Sequence, residues 1–210
     1  MGAVDAVRRR WLLYHLADPD FAFMYDPPPT GEWVTIDCET TGLDTRRDQI
    51  VSVAAVRIAG SRLLTSQRLE LLVRPERKLN RESVRVHQLR EQDVAQGLDP
   101  EQAMRRLLAF IGARPLVGYY LEFDVAMLNR EIWPLLGVRL PQPMIEVSSM
   151  YYDWKNRQLP PHERGGTIDL RFATMMRALD LPVRDAHDAL NDAVMAGLAF
   201  VKLRALAQLR

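Results

Sequence analysis

At 210 residues the chain suits one domain of ordinary size with a small appendage. Its 48% apolar and 26% charged content is that of a globular protein, and no apolar run approaches the roughly 20 residues that a bilayer span needs. A single cysteine excludes an internal disulfide framework and fits a reducing, cytoplasmic compartment, while the net charge of +1 singles out no class of partner.

Residues 3–17 carry Val4, Val7, Trp11 and Tyr14 at helical spacing, which predicts an amphipathic helix. Basic residues ahead of a short apolar patch superficially suggest a signal peptide. The patch contains Tyr14 and His15 and breaks at Asp18-Pro19, with no small-residue cleavage site after it. "DPPPTG" at 26–31 reads as a short stiff linker. The expected organisation is therefore an N-terminal helix and Pro-rich linker over 1–31, docked on the domain or on a partner, and a domain over 32–210.

Strands are expected over 33–39, 49–60 and 62–75, the last two joined at Gly60-Ser61 as a hairpin. The middle one is nearly continuous in Val, Ala and Ile, as in a strand covered on both faces. Helices are expected over 80–88 and 100–112, a short strand over 114–119, and a helix over 122–136 ended by Pro134 and Gly137. A strand over 144–149 and helices over 167–179 and 188–208 complete the chain. A strand meander followed by alternating helix and strand predicts an α/β fold, a mixed sheet of five strands flanked by helices.

The first strand poses the chemical question, because "WVTIDCETTGLD" puts Asp37 and Glu39 on it with Cys38 between. Alternate strand residues share a face, so the two acids point together and Cys38 into the opposite layer, as core packing. Two such carboxylates repel and lose hydration unless a cation lies between them, and a hard divalent ion such as Mg²⁺ prefers oxygen ligands. A half-exposed strand end with solvated acids is the alternative, and the pair alone does not decide.

Two more segments bear on it. "LVGYYLEFDVAML" puts Asp124 early in a helix among mostly apolar neighbours, so the acid turns inward or into a cleft. "DAHDALNDAVMAGLAF" opens the last helix, with Asp188 as its N-cap, Asp192 a turn inside and His187 on the loop before it.

Together "DCETTGLD", "GYYLEFD" and "HDALNDA" resemble the three motifs of the DnaQ-like family, the DEDDh 3′–5′ exonucleases. The resemblance runs in the family's order from about residue 32 to residue 205. It includes "VHQL" (Val86 to Leu89), similar to the family's Val-His-Gly-Ile. It implies a ribonuclease H-like fold, with Asp37, Glu39, Asp124 and Asp192 binding two Mg²⁺ or Mn²⁺ ions and His187 as general base. It also implies that Thr40, Leu43, His87, Tyr120 and Phe123 hold the 3′-terminal nucleotide. Asp188 stands where the family's tyrosine branch would have Tyr, which assigns the chain to the histidine branch. Two departures lie at the nucleotide site: Tyr119, Tyr120 and Leu121 replace the frequent His-Asn-Ala, and Gln88 follows His87 where the family has glycine.

The implied activity is metal-dependent release of 5′-mononucleotides from single-stranded or 3′-tailed nucleic acid, on DNA in proofreading or repair. RNA trimming is the alternative within the class, and a non-catalytic nucleic-acid-binding scaffold is the alternative outside it. The run Arg74 to Arg90 holds six basic residues against Glu76 and Glu82. It is either a solvated face or, with Arg46 and Arg47, a phosphate-contacting surface. The chain ends eighteen residues after Asp192, without a long tail of the kind through which epsilon subunits join their polymerase. This favours a free-standing enzyme and leaves the N-terminal helix as the surface for any protein partner. No pattern in the sequence defines a dimer surface.

Overall fold

The computed structural model describes residues 3–77, 79–184 and 187–208; Lys78 of the basic run lies outside them. Its helices and strands run in the order α1 (Ala3–His15), β1 (Glu32–Thr40), β2 (Ile50–Ala59), β3 (Arg62–Leu72), α2 (Arg81–His87), α3 (Glu91–Val94), α4 (Pro100–Ile111), β4 (Leu116–Gly118), α5 (Leu121–Leu136), β5 (Met144–Glu146), α6 (Val147–Gln158), α7 (Phe172–Ala178) and α8 (Ala189–Gln208).

The five strands form one mixed sheet in the order β3-β2-β1-β4-β5. The meander β1-β2-β3 is antiparallel, and β1, β4 and β5 run parallel. This is a ribonuclease H-like α/β fold. β1 is central, and its pairing with β4 covers only Val34 and Thr35. The later half of β1 therefore has a free edge beside β4, and Asp37 and Glu39 lie there.

Alternation along β1 sorts its side chains into two cores. Val34, Ile36 and Cys38 face a layer built by α4, α5 and the N-terminal segment. On the other face Trp33 packs edge-on against Phe200 of α8, 5.3 Å between centroids, and the buried Thr35 donates to the Ala193 carbonyl at 2.8 Å. Asp37 and Glu39 continue that second face past the point where α8 begins.

The N-terminal segment is tied in by specific contacts. The Ala17 N–H donates to the Leu136 carbonyl at 2.8 Å, and Arg105 of α4 pairs with Asp18 at 2.7 Å. A 3₁₀ turn over Pro19–Tyr25 buries Phe21 and Met24 in the same cluster as Leu107 and Leu128. Each such side chain contributes about 1.5–3 kcal/mol.

Two expected elements need correction. The strand over 144–149 stops at Glu146, and the chain turns at once into α6, which the sequence pattern did not suggest. "VSSMYYDW" opens with β-branched, hydroxyl and aromatic residues, all weak helix formers. Tertiary packing of Val147 and Tyr151 makes it helical, assisted by Glu146, which accepts from the Ser148 N–H at 3.0 Å. The helix over 167–179 is shorter, Phe172–Ala178, because Asp169 accepts from Arg171 and Thr174 and holds the preceding residues in a turn.

Candidate active site

Three elements converge at the free edge of β1. The first turn of α5 brings Asp124 against the strand, where its Oδ1 accepts the Cys38 N–H at 2.9 Å. That N–H would otherwise be an unpaired donor, so the buried carboxylate completes the strand's hydrogen bonding from a neighbouring helix. From the other face α8 supplies Asp192. Asp188 caps that helix by accepting from the Asn191 N–H at 2.8 Å. Asp37, Glu39 and Asp192 then lie with one oxygen each within 4.8 Å of one another.

The electrostatics follow from this crowding. Burial, then repulsion from Asp124, Asp192, Glu39 and Asp188, holds Asp37 well above the ordinary carboxylate range. Burial and the charges of Asp192, Asp124 and Asp188 push Glu39 to about 8. Asp124 is pushed to about 7 by burial, against the hydrogen bonds from Cys38. Asp192 is raised by burial, opposed by the His187 N–H that donates to its Oδ2 at 2.9 Å. Its other oxygen, Oδ1, is buried and has no hydrogen-bond partner among the described residues. An unpartnered buried carboxylate oxygen beside two more acids is the donor set of a hard divalent cation, so the residues fit the expected metal.

Asp37, Glu39 and Asp124 line an open cleft with two lobes. One, of about 680 Å³, holds Asp37 and Asp124 with Tyr119, Tyr120 and Glu146; the other, of about 630 Å³, holds Glu39 with Thr40, His87 and His187. Leu43 and Phe123 border both, and Leu43 is 84% exposed, a wedge between the lobes. His187 is exposed on the loop before α8, in the left-handed backbone region with φ 68°. Asp185 and Ala186 just before it lie outside the described residues.

The loop that presents Leu43 is braced by Asp48, which accepts from the Thr41 hydroxyl at 2.9 Å and the Asp44 N–H at 2.8 Å. A Cβ on Gly42 would come within 2.5 Å of that carboxylate, so a side chain there would displace the brace. The Thr40 hydroxyl donates to the Gly42 carbonyl at 2.6 Å. His87 is buried at the C-terminal end of α2, which ends at Gln88 in the left-handed region. Its Nδ1 accepts from the Leu89 N–H at 3.0 Å, which places the proton of the neutral ring on Nε2. Burial lowers its pKa and favours that neutral form, and Nε2 is left buried without a partner among the described residues.

Two contributors carry little sequence signal. Glu146 accepts from the Tyr120 and Leu121 N–H groups, at 3.2 and 2.9 Å, and so anchors the start of α5 from the end of β5. Tyr119 stacks on Phe172 at 4.3 Å and donates to the Leu170 carbonyl at 2.9 Å, closing one side of the cleft. Each sits beside a recognisable motif, and only the folded chain gives it a role.

A cluster of strand and helix carboxylates at the open edge of a ribonuclease H-like sheet defines a class, the metal-binding nucleases of this fold. The family model described as Exonuclease, of RNase T type, matches residues 34–200, and the chain belongs to that family. It is 30% identical over 175 residues to the DNA polymerase III subunit epsilon-like protein of Rhodobacter capsulatus, covering 81% of this chain and 23% of that one. It is 21% identical over 187 residues to the DNA polymerase III subunit epsilon of Aquifex aeolicus, covering 89% and 87%. The chain thus spans less than a quarter of the Rhodobacter protein and most of the Aquifex one. Among solved structures it resembles the zinc-bound complex of E. coli Exonuclease I with single-stranded DNA, with TM-score 0.70, 17% identity, and coverage of 87% of this chain and 42% of that one. It also resembles Exonuclease X in complex with 5′-overhanging duplex DNA, with TM-score 0.64, 20% identity and coverage of 84% and 93%. At these identities the structural likeness is one of fold. Among the described residues, no helix is long and apolar enough to cross a membrane.

Proposed function

We propose that the protein is a metal-dependent 3′–5′ exonuclease, a hydrolase of phosphodiester bonds that releases 5′-mononucleotides from single-stranded or 3′-tailed DNA in the cytoplasm. The observation that carries the reading is the meeting of Asp37, Glu39 and Asp192, with a buried oxygen on Asp192 that has no partner among the described residues, beside an open cleft that Asp37 and Glu39 line. The DNA complexes of Exonuclease I and Exonuclease X favour DNA over RNA.

In this reading Asp37, Glu39, Asp124 and Asp192 hold two Mg²⁺ or Mn²⁺ ions. When bound, such ions relieve charge on the phosphate and make water acidic enough to attack at neutral pH. His187, exposed at the rim, accepts the proton of the attacking water. The water oxygen bonds to phosphorus, the bond from phosphorus to the 3′-oxygen breaks, and that oxygen takes a proton from solvent. The nucleotide leaves with its 5′-phosphate. Leu43 separates the terminal base from its neighbour while Tyr120 and Phe123 offer aromatic faces that stack on any base. Thr40 and His87, which line the second lobe, form the side that receives the terminal sugar.

The test is mononucleotide release from matched 3′-tailed DNA and RNA with Mg²⁺, Mn²⁺ or EDTA, beside Asp124→Asn. Metal-dependent release that is faster on DNA and lost in the variant supports the reading. Faster release from RNA moves the substrate to RNA. Binding without release from either substrate makes the protein a scaffold and overturns the proposal.

A further inference from the structure

Helix α5 leaves the active-site cleft carrying Phe123, Ala126, Arg130 and Trp133. These positions fall within about 80° of arc and span about 15 Å along the axis. Ala126, Arg130 and Trp133 line a groove of about 470 Å³, which Arg139 closes. Trp133 and Arg139 also line the next hollow, of about 500 Å³, together with Trp11 and His15 of α1. The two hollows thus share Trp133 and Arg139 and link α5 to the N-terminal helix, and helical periodicity sets Phe123 of the cleft on the same face of α5.

Its chemistry is unusual for exposed surface. Trp133 is 54% and Trp11 60% exposed, and nothing in the fold accounts for two indoles in water. Arginines alternate with them. Arg130 donates to the Thr45 carbonyl at 3.3 Å, which puts it against the loop that bears Arg46 and Arg47. The acids along the way are answered locally: Glu131 pairs with Arg130 at 2.9 Å and Asp44 with Arg47 at 3.8 Å. Arg46 and Arg139 are exposed and form no ion pair among the described residues. Two exposed indoles beside the guanidinium groups of Arg139 and Arg46 match the stacked bases and phosphates of a single strand, and Leu12, Val138, Leu140 and Pro141 give the hollow that the indoles share an apolar lining.

We propose that this stripe is a single-strand track, which takes the nucleotides upstream of the scissile bond from Phe123 along α5 to a stacking platform at Trp133 and Trp11. The inference rests on the exonuclease reading for its polarity. About 15 Å holds at most about four nucleotides at a stacked spacing of roughly 3.4 Å. The track therefore discriminates by length: a trimer ends before the platform, and a dodecamer reaches it.

The test uses 5′-labelled dT3 and dT12 with the full chain, by fluorescence polarisation in EDTA and by cleavage with Mg²⁺. Trp133→Ala is expected to weaken dT12 binding about 5- to 20-fold and leave dT3 cleavage unchanged. Trp133→Phe, which keeps a stacking face, recovers most of that loss. Arg139→Ala lowers the slope of log affinity against log salt by about 0.7 for dT12. Both residues are exposed, and melting curves confirm that the variants fold. Equal dT12 binding by the parent and Trp133→Ala overturns the track, as does an equal loss on both lengths. If the parent cleaves neither oligonucleotide the exonuclease reading fails, and the binding comparison still decides the track.

Discussion

Replacing Asp37 with Asn should stabilise the protein when no metal is bound, although the same change abolishes activity. The Asp37 carboxylate makes no hydrogen bond among the described residues, so the amide loses no partner, and it can donate to Glu39 or Asp192. What it removes is a charge held against burial and four neighbouring acids. For an acid whose folded pKa is raised, the associated stability is fully present below the unfolded pKa near 4. It is lost as pH rises through the folded value, here about 7 for Asp124 and about 8 for Glu39. At about 1.4 kcal/mol per pKa unit the cluster stores several kcal/mol at pH 8, reduced by the solvent that reaches the cleft. Deleting one charge should return about 1–3 kcal/mol, or roughly 3–8 °C in Tm for a chain of this length. Thermal melts in EDTA at pH 8 should thus place Asp37→Asn above the parent, and at pH 5 the gap should close. Mg²⁺ should raise the parent's Tm more at pH 8 than at pH 6 and raise the variant's much less. A variant that melts at or below the parent at pH 8 in EDTA would refute the repulsive cluster.

Other expectations are independent of that one. Gln88 sits at φ 58°, ψ 4° as the left-handed cap of α2, so Gln88→Gly should add about 0.5–1 kcal/mol, read as a higher urea midpoint at unchanged slope. Phe21→Ala, which empties a buried site under the Arg105 guanidinium, should cost about 3–4 kcal/mol and leave activity at 25 °C intact. His187→Gln should lower kcat by about 10²–10⁴-fold yet retain the Mg²⁺-induced rise in Tm, because the acids are untouched. Loss of both would make His187 part of the metal's own shell.

Much of this architecture could be read from period and punctuation. Alternation along β1 placed Asp37 and Glu39 on one face, and Asp188 at the head of an apolar-patterned segment marked the start of α8. The elements that escaped depend on tertiary contacts. α6 opens with weak helix formers and is held by Val147 and Tyr151 against α8, which no local pattern reports. The two departures from the family's motifs acquire a physical meaning only in the fold. Gln88 and Tyr120 occupy left-handed backbone, with φ 58° and 54°, where glycine and asparagine are at ease. At Tyr120 the strain is offset by Glu146, which accepts its N–H, and by the ring of Tyr119 at 4.4 Å. Such strained residues concentrate at functional sites, and Tyr120 stands 61% exposed in the cleft.

The central claim is that these acids serve 3′-end hydrolysis. Digestion of one single-stranded oligonucleotide labelled in turn at its 3′ and its 5′ end, with Mg²⁺, tests it most directly. Hydrolysis from the 3′ end predicts immediate release of a labelled 5′-mononucleotide from the 3′-labelled strand, a ladder of progressively shorter 5′-labelled products, and neither with EDTA or with Asp37→Asn. Early mononucleotide release from the 5′ end, or release that persists without metal, would contradict it.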